Sequence, residues 1–330
     1  MSSTSPSSPS NPSTPSNPPA ASPSATSAPP RLRVGSAPDS WGVWFPDDEQ
    51  QPPWRRFLDE VAEAGYEWIE LGPYGYLPTD PDQLRDELAA RDLALSAGTC
   101  FTAFHQGDVW KQTWEQVSEI AELVTAQGAR SLVVIPEMWR DPATGEQLEP
   151  RTLDDDQWRS LTAGIDQLAK ALHEEHGVQL QFHPHADSHV DTQHHVERFL
   201  EMTDPDRVKL CLDTGHIAYC GGDNLRIIAQ HPGRIGYLHL KQVDPDVLAG
   251  VHDEDVPFGP AVGRGVMCEP PAGVPELAPI IAATGDLDAE MFAIVEQDLY
   301  PVAPDVPLPI ARRTRQHLTR CGAGKPRRKR

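Results

Sequence analysis

From Arg31 onward the chain alternates short apolar runs with longer stretches in which apolar residues recur at helical spacing. The short runs are RLRVGSA at 31–37, YEWIELG at 66–72, LALSAG at 93–98, SLVVIP at 131–136, VQLQFH at 178–183, RVKLCLD at 207–213, RIGYLHL at 234–240 and MFAIVEQ at 291–297. Helical patterns between them cover 53–64, 80–91, 112–127, 154–176, 191–202, 222–231 and 275–284, with a closing helix at 308–320. The short runs are mostly apolar rather than alternating, as strands are when both faces are covered. Eight such units predict an α/β fold closed into a (β/α)8 TIM barrel. The alternative, an open doubly wound sheet, uses fewer strands.

Local signals agree. Asp80 stands before Pro81 at a helix start, and Gly65, Gly128 and Gly177 each stand between a helix and the next strand. The two longest connections, 140–153 and 242–274, both follow strands, on the side where barrel enzymes keep their sites. The second shows no obvious structure of its own, which suits a loop that covers or shapes a pocket.

Composition divides the chain into three parts. Residues 1–30 contain nine prolines, many Ser and Thr, and no charged side chain, so they predict a disordered tail without the features of a secretory signal. Residues 31–320 form the predicted barrel, and 321–330 a basic tail ending in KPRRKR. The formal net charge of -21 places an acidic surface on the body, which excludes a nucleic-acid partner. No apolar run reaches the roughly 20 residues that cross a bilayer. Five cysteines without a CxxC pair fit a reducing, cytoplasmic setting.

The chemistry lies where the predicted strands end. The fourth ends in Glu137, the fifth in His183 and His185, the sixth in Asp213 and His216, the seventh in His239 and Lys241, and the eighth in Glu296. In a barrel these converge on one bowl, and imidazole with carboxylate is a donor set for a divalent transition metal. Glu70 within YEWIELG reads as a buried hydrogen-bonding glutamate, and His189, His194 and His195 as surface or supporting residues. Trp41, Trp44 and Trp139 suit either the core or a pocket wall. The glycines at 263 and 265 belong to the long loop rather than to a dinucleotide fingerprint, so no organic cofactor is expected. A barrel that binds a sugar without turning it over is the non-enzymatic alternative.

With these residues the chain resembles the xylose-isomerase-like, endonuclease-IV-like TIM barrel superfamily of sugar phosphate isomerases and epimerases, nearest its inosose dehydratase (2-keto-myo-inositol dehydratase) branch. The resemblance rests on VGSAPDSWGVWF at 34–45, GYEWIELGPYGYLP at 65–78, and the FHPH, CLDTGH, LHLK and VEQDLYP segments, and runs from about residue 33 to about 318. It implies one divalent metal, Mn²⁺ or Co²⁺ first and Zn²⁺, Fe²⁺ or Mg²⁺ as alternatives, held by His183, Asp213, His239 and Glu296. It also implies catalytic work by Glu296, His185, His216 and Lys241, with Glu137 a further candidate acid. Ketose epimerases of this superfamily have glutamate where this chain has His183, so the resemblance favours dehydration of a cyclic polyol ketone, 2-keto-myo-inositol, through a metal-stabilised enolate. In that reaction His185 or His216, titrating near neutrality, would protonate the departing hydroxyl. A sugar or sugar-phosphate isomerase or epimerase with the same metal site is the alternative. Relatives are often dimers or tetramers, so a homo-oligomer is possible. The nuclease members use three metals, and with His105 lying beyond the third strand their extra ligands are not expected here.

Overall fold

A computed structural model describes residues 32–287 and 290–324, together with Met1. The Ser/Thr/Pro-rich segment, Met1 apart, and the final KPRRKR lie outside the described residues. Eight parallel strands close into a barrel: β1 (Arg33–Ser36), β2 (Trp68–Glu70), β3 (Ala94–Thr102), β4 (Ser131–Pro136), β5 (Gln179–Phe182), β6 (Val208–Asp213), β7 (Ile235–Leu240) and β10 (Phe292–Val295). Each pairs with its sequence neighbour, and β10 closes the ring against β1 through Arg33↔Phe292 to Ser36↔Val295.

The helices form where the apolar spacing predicts them. The helix Pro81–Ala89 is capped by Asp80, whose carboxylate accepts from Gln83 N at 2.8 Å. The helix Trp54–Ala64 ends at Gly65 with φ 92, a left-handed value that a side chain would disfavour. Apolar helix faces pack on the outer sides of the strands in one continuous core that includes Phe57, Leu84, Ile120, Leu161, Phe199 and Leu318. Burying each such side chain stabilises the fold by about 1.5–3 kcal/mol. Inside the barrel, Ala37, Ala97, Val133, Cys211, Tyr237 and Ile294 fill the centre.

Three stretches differ from the expected pattern. β3 runs past Gly98 to Thr102, because Thr99–Thr102 pair with Val133–Pro136 of β4. The helix expected over 154–176 ends at Ala171 and finishes in a π turn, Leu172–His176, closed by Gly177. The 242–274 connection is folded. Strands β8 (Gln242–Val243) and β9 (Met267–Cys268) form a hairpin around helices Pro245–Asp253 and Phe258–Gly263. It has its own apolar cluster, with Val243, Val251, Phe258 and Met267 packed against Ala186 and Tyr219. No helix among the described residues is long and apolar enough to cross a membrane.

Candidate active site

The carboxyl ends of β5, β6, β7 and β10 bring four side chains together. His183 directly follows β5, Asp213 ends β6, His239 lies in β7 opposite Asp213, and Glu296 directly follows β10. Their donor atoms lie within 4.8 Å of one another, and all four residues are buried. His239 Nδ1 is 2.8 Å from Glu296 Oε2 and 3.6 Å from Asp213 Oδ2. His183 Nε2 is 3.4 Å from Asp213 Oδ2 and 3.9 Å from Glu296 Oε2.

This group fits a divalent cation. His183 turns Nε2 and His239 turns Nδ1 toward the buried carboxylates of Asp213 and Glu296. Two imidazoles and two carboxylates around one point are a common transition-metal donor set. The opposite nitrogen of His239, Nε2, lies 2.8 Å from Glu70 Oε1, as metal-bound imidazoles are commonly held from behind. Cys211 also lies near His183 and His239, but burial pushes its thiol up to about 12.

Lys241 sits among the acids. Its Nζ is 2.7 Å from Asp298 Oδ2, 3.1 Å from Glu296 Oε2 and 3.2 Å from Asp213 Oδ2. Burial opposes the ammonium, but Asp213, Asp298 and Glu296 outweigh it and keep the pKa well above the usual lysine value. Burial would also raise Asp213, yet Lys241, with hydrogen bonds from His183 and His239, holds it well below the usual carboxylate range. Gly215 makes room for this lysine, since a Cβ there would stand 2.5 Å from Lys241 Cγ.

His185 and His216 complete one wall, their ring centroids 3.9 Å apart. The expectation that either titrates near neutrality does not fit its surroundings. Burial, reinforced by His183 and Lys241, lowers His185 to about 3, and burial with His185 and Lys241 holds His216 well below its usual value. Both rings are therefore neutral hydrogen-bonding groups in this protein. The folded 242–274 connection lays Phe258 against them, with ring centroids 4.9 Å from His185 and 5.1 Å from His216. Trp44 stacks between Phe258 and Tyr300, whereas buried Trp41 donates to Glu60 at 2.8 Å and belongs to the core. Trp139 is buried between the guanidinium groups of Arg140 and Arg151.

Glu137 is not brought into this group. It is exposed and lines a separate cavity of about 480 Å³ with Ala103, Gln106, Met138, Leu148 and Glu149. His194 is exposed, as read, and half-buried His195 pairs with Asp191 at 2.9 Å. His189 is not at the surface. It is buried beside His105 and Glu149, and these three form another group of potential ligands, which the residues beyond the third strand did not suggest. Two acids near Lys241 were also missed. Asp39 is raised well above the carboxylate range by burial, Glu296 and Asp298, and Asp298 is raised by burial, although Lys241 opposes it. Both lie inside segments that carry the resemblance, PDSW and EQD, which was the available signal.

Residues 58–270 match the family model of the xylose isomerase-like TIM barrel. An inosose dehydratase of Geobacillus kaustophilus (strain HTA426) is 30% identical over 302 residues, covering 88% of this chain and 94% of that protein. Among solved structures, the probable 3-DHS dehydratase AsbF of Bacillus anthracis superposes with a TM-score of 0.65 at 16% identity, covering 87% of this chain and 98% of that one. The IOLI protein, solved with a bound zinc atom, superposes with a TM-score of 0.64 at 16% identity, covering 86% of this chain and 96% of that one. At these identities the two structures show a shared fold.

Proposed function

The chain belongs to the xylose isomerase-like TIM barrel family and is an enzyme of its metal-binding isomerases and lyases, and from that premise we propose that it dehydrates a cyclic polyol ketone, 2-keto-myo-inositol. The observation that carries this reading is the nearly end-to-end match to an inosose dehydratase. His183, Asp213, His239 and Glu296 are the proposed holders of one divalent ion, Mn²⁺ or Co²⁺, a choice their mixed donor set supports. Such an ion, when bound, would polarise the substrate carbonyl and acidify the neighbouring C–H.

The remaining work falls to side chains. Glu296 is the proposed base that takes the proton from the carbon beside the carbonyl. Lys241 is the proposed acid, its ammonium directed at the hydroxyl that departs. The C–H and C–O bonds break, the hydroxyl leaves with the lysine proton as water, and the enol that remains becomes a cyclic dione. The 3.1 Å between Lys241 Nζ and Glu296 Oε2 lets the abstracted proton return to the amine, restoring both groups. Neutral His185 and His216 suit hydrogen bonds to ring hydroxyls, and the aromatic faces of Phe258 and Trp44 suit the C–H face of a ring. Glu137, exposed beside a different cavity, is left out of the mechanism.

The test incubates metal-loaded protein with 2-keto-myo-inositol and with a panel of ketoses and sugar phosphates, following dione absorbance and proton NMR. Loss of water from the inosose is the expected result. An epimer or aldose formed without loss of water would replace this reading with the isomerase one.

A further inference from the structure

We propose that His105, Glu149 and His189 form a second divalent-cation site, separate from the group at the ends of β5, β6, β7 and β10. The three come from different connections on the same barrel face. His105 lies in the short turn Phe104–Gln106 after β3, Glu149 in the connection after β4, and His189 in the segment after β5. Their donor atoms lie within 4.8 Å of one another. They share no residue with the first group.

The hydrogen bonds prepare the site for a cation. His105 Nε2 lies 2.9 Å from each oxygen of the Glu149 carboxylate, so that carboxylate is presented with both oxygens toward the ring. His189 Nε2 lies 3.0 Å from the carbonyl oxygen of Pro150. A carbonyl only accepts, so Nε2 of His189 carries the proton and Nδ1 carries a lone pair. That Nδ1 has no hydrogen-bond partner, and on His105 the nitrogen that faces the Glu149 carboxylate is Nε2, where a cation would replace the shared proton. His105 is 3% exposed and His189 2%, so water does not readily satisfy either nitrogen. An imidazole fixed from behind by a carbonyl, with its other nitrogen unpartnered, is how metal-binding histidines are commonly held.

The site also has an entrance. Glu149 lines the cavity of about 480 Å³ that Glu137 and Gln106 share, so an ion can arrive from solvent without crossing the barrel. Two imidazoles and one carboxylate leave coordination positions open toward that cavity, a donor set that suits Zn²⁺ or Co²⁺. Glu137, exposed in the same cavity, adds a negative charge at its mouth.

The test uses the full chain, stripped with a chelator and titrated with Zn²⁺, with Co²⁺ absorption as a second readout. The wild type should bind one more equivalent than Glu149→Gln, and His189→Ala should lose the same equivalent. Glu149→Gln keeps the size of the side chain and a hydrogen-bond partner for His105, so it decides the matter even if His189→Ala fails to fold. Repeating the titration in His239→Ala, which disables the first group, should leave the Glu149-dependent equivalent in place. The outcome is therefore independent of the dehydratase reading. If Glu149→Gln binds as many equivalents as the wild type, the second site does not exist.

Discussion

Glu70 Oε1 accepts a hydrogen bond from His239 Nε2 at 2.8 Å, joining β2 to β7 through the barrel interior, and both side chains are 1% exposed. The bond places the ring proton of His239 on Nε2 and turns Nδ1 toward Asp213 and Glu296. A carboxylate behind a ligand histidine orients the ring and raises its basicity. Glu70→Ala should therefore weaken metal binding by roughly 10–100-fold, and Glu70→Gln by less, since the amide oxygen still accepts. Competition against a chromophoric chelator measures this. Wild-type affinity in both variants would remove Glu70 from the site.

His239→Ala and Asp213→Ala should both abolish metal retention, but they should differ in stability. Asp213 Oδ1 also accepts from Gly215 N at 2.8 Å and His216 N at 2.7 Å, capping the short helix that follows β6. Losing that cap costs about 0.5–2 kcal/mol. Elemental analysis together with thermal melts separates the two roles. Full metal content in either folded variant would contradict the ligand assignment.

Lys241→Met should destabilise the metal-free protein more than the metal-loaded one. Without the ammonium, Asp213, Glu296 and Asp298 are left buried around an uncharged side chain. Removing one partner of such a buried group costs about 3–5 kcal/mol. A bound cation supplies compensating charge, so the drop in Tm should shrink when metal is added. Equal drops with and without metal would show that the two positive charges do not substitute for one another.

Metal affinity should rise with pH. Burial favours the neutral His239 ring, but the carboxylates of Glu296 and Glu70 outweigh it and raise the pKa well above the usual imidazole value. At neutral pH the metal-free ring is therefore protonated, and a cation must displace that proton to reach Nδ1. Below the raised pKa, affinity should gain about tenfold per pH unit for one displaced proton. Calorimetry in buffers of different ionisation enthalpy reads the proton release directly. Metal binding with no proton released at neutral pH would mean that the ring is already neutral.

The barrel and the cluster of polar residues at its strand ends were legible in the sequence because both depend on local pattern. Apolar runs separated by helical periodicity give the strands, and the polar residue ending each run is within a residue or two of its place in the structure. His183, Asp213, His239 and Glu296 stood among those residues, and the family resemblance singled them out as a candidate ligand set that the structure brings within reach of one another. What faces a side chain across the barrel is not local. Only closure of the eight strands brings Glu70 of β2 against His239 of β7, and only then does Lys241 stand among Asp213, Glu296 and Asp298. The neutrality of His185 and His216 likewise follows from burial, which no spacing reveals. His105, Glu149 and His189 come from three separate connections, so their meeting depends on how those loops pack. Electrostatic and hydrogen-bonding partners are set by distance in space, and the chain's own periodicity encodes which face a residue takes but not what stands opposite it.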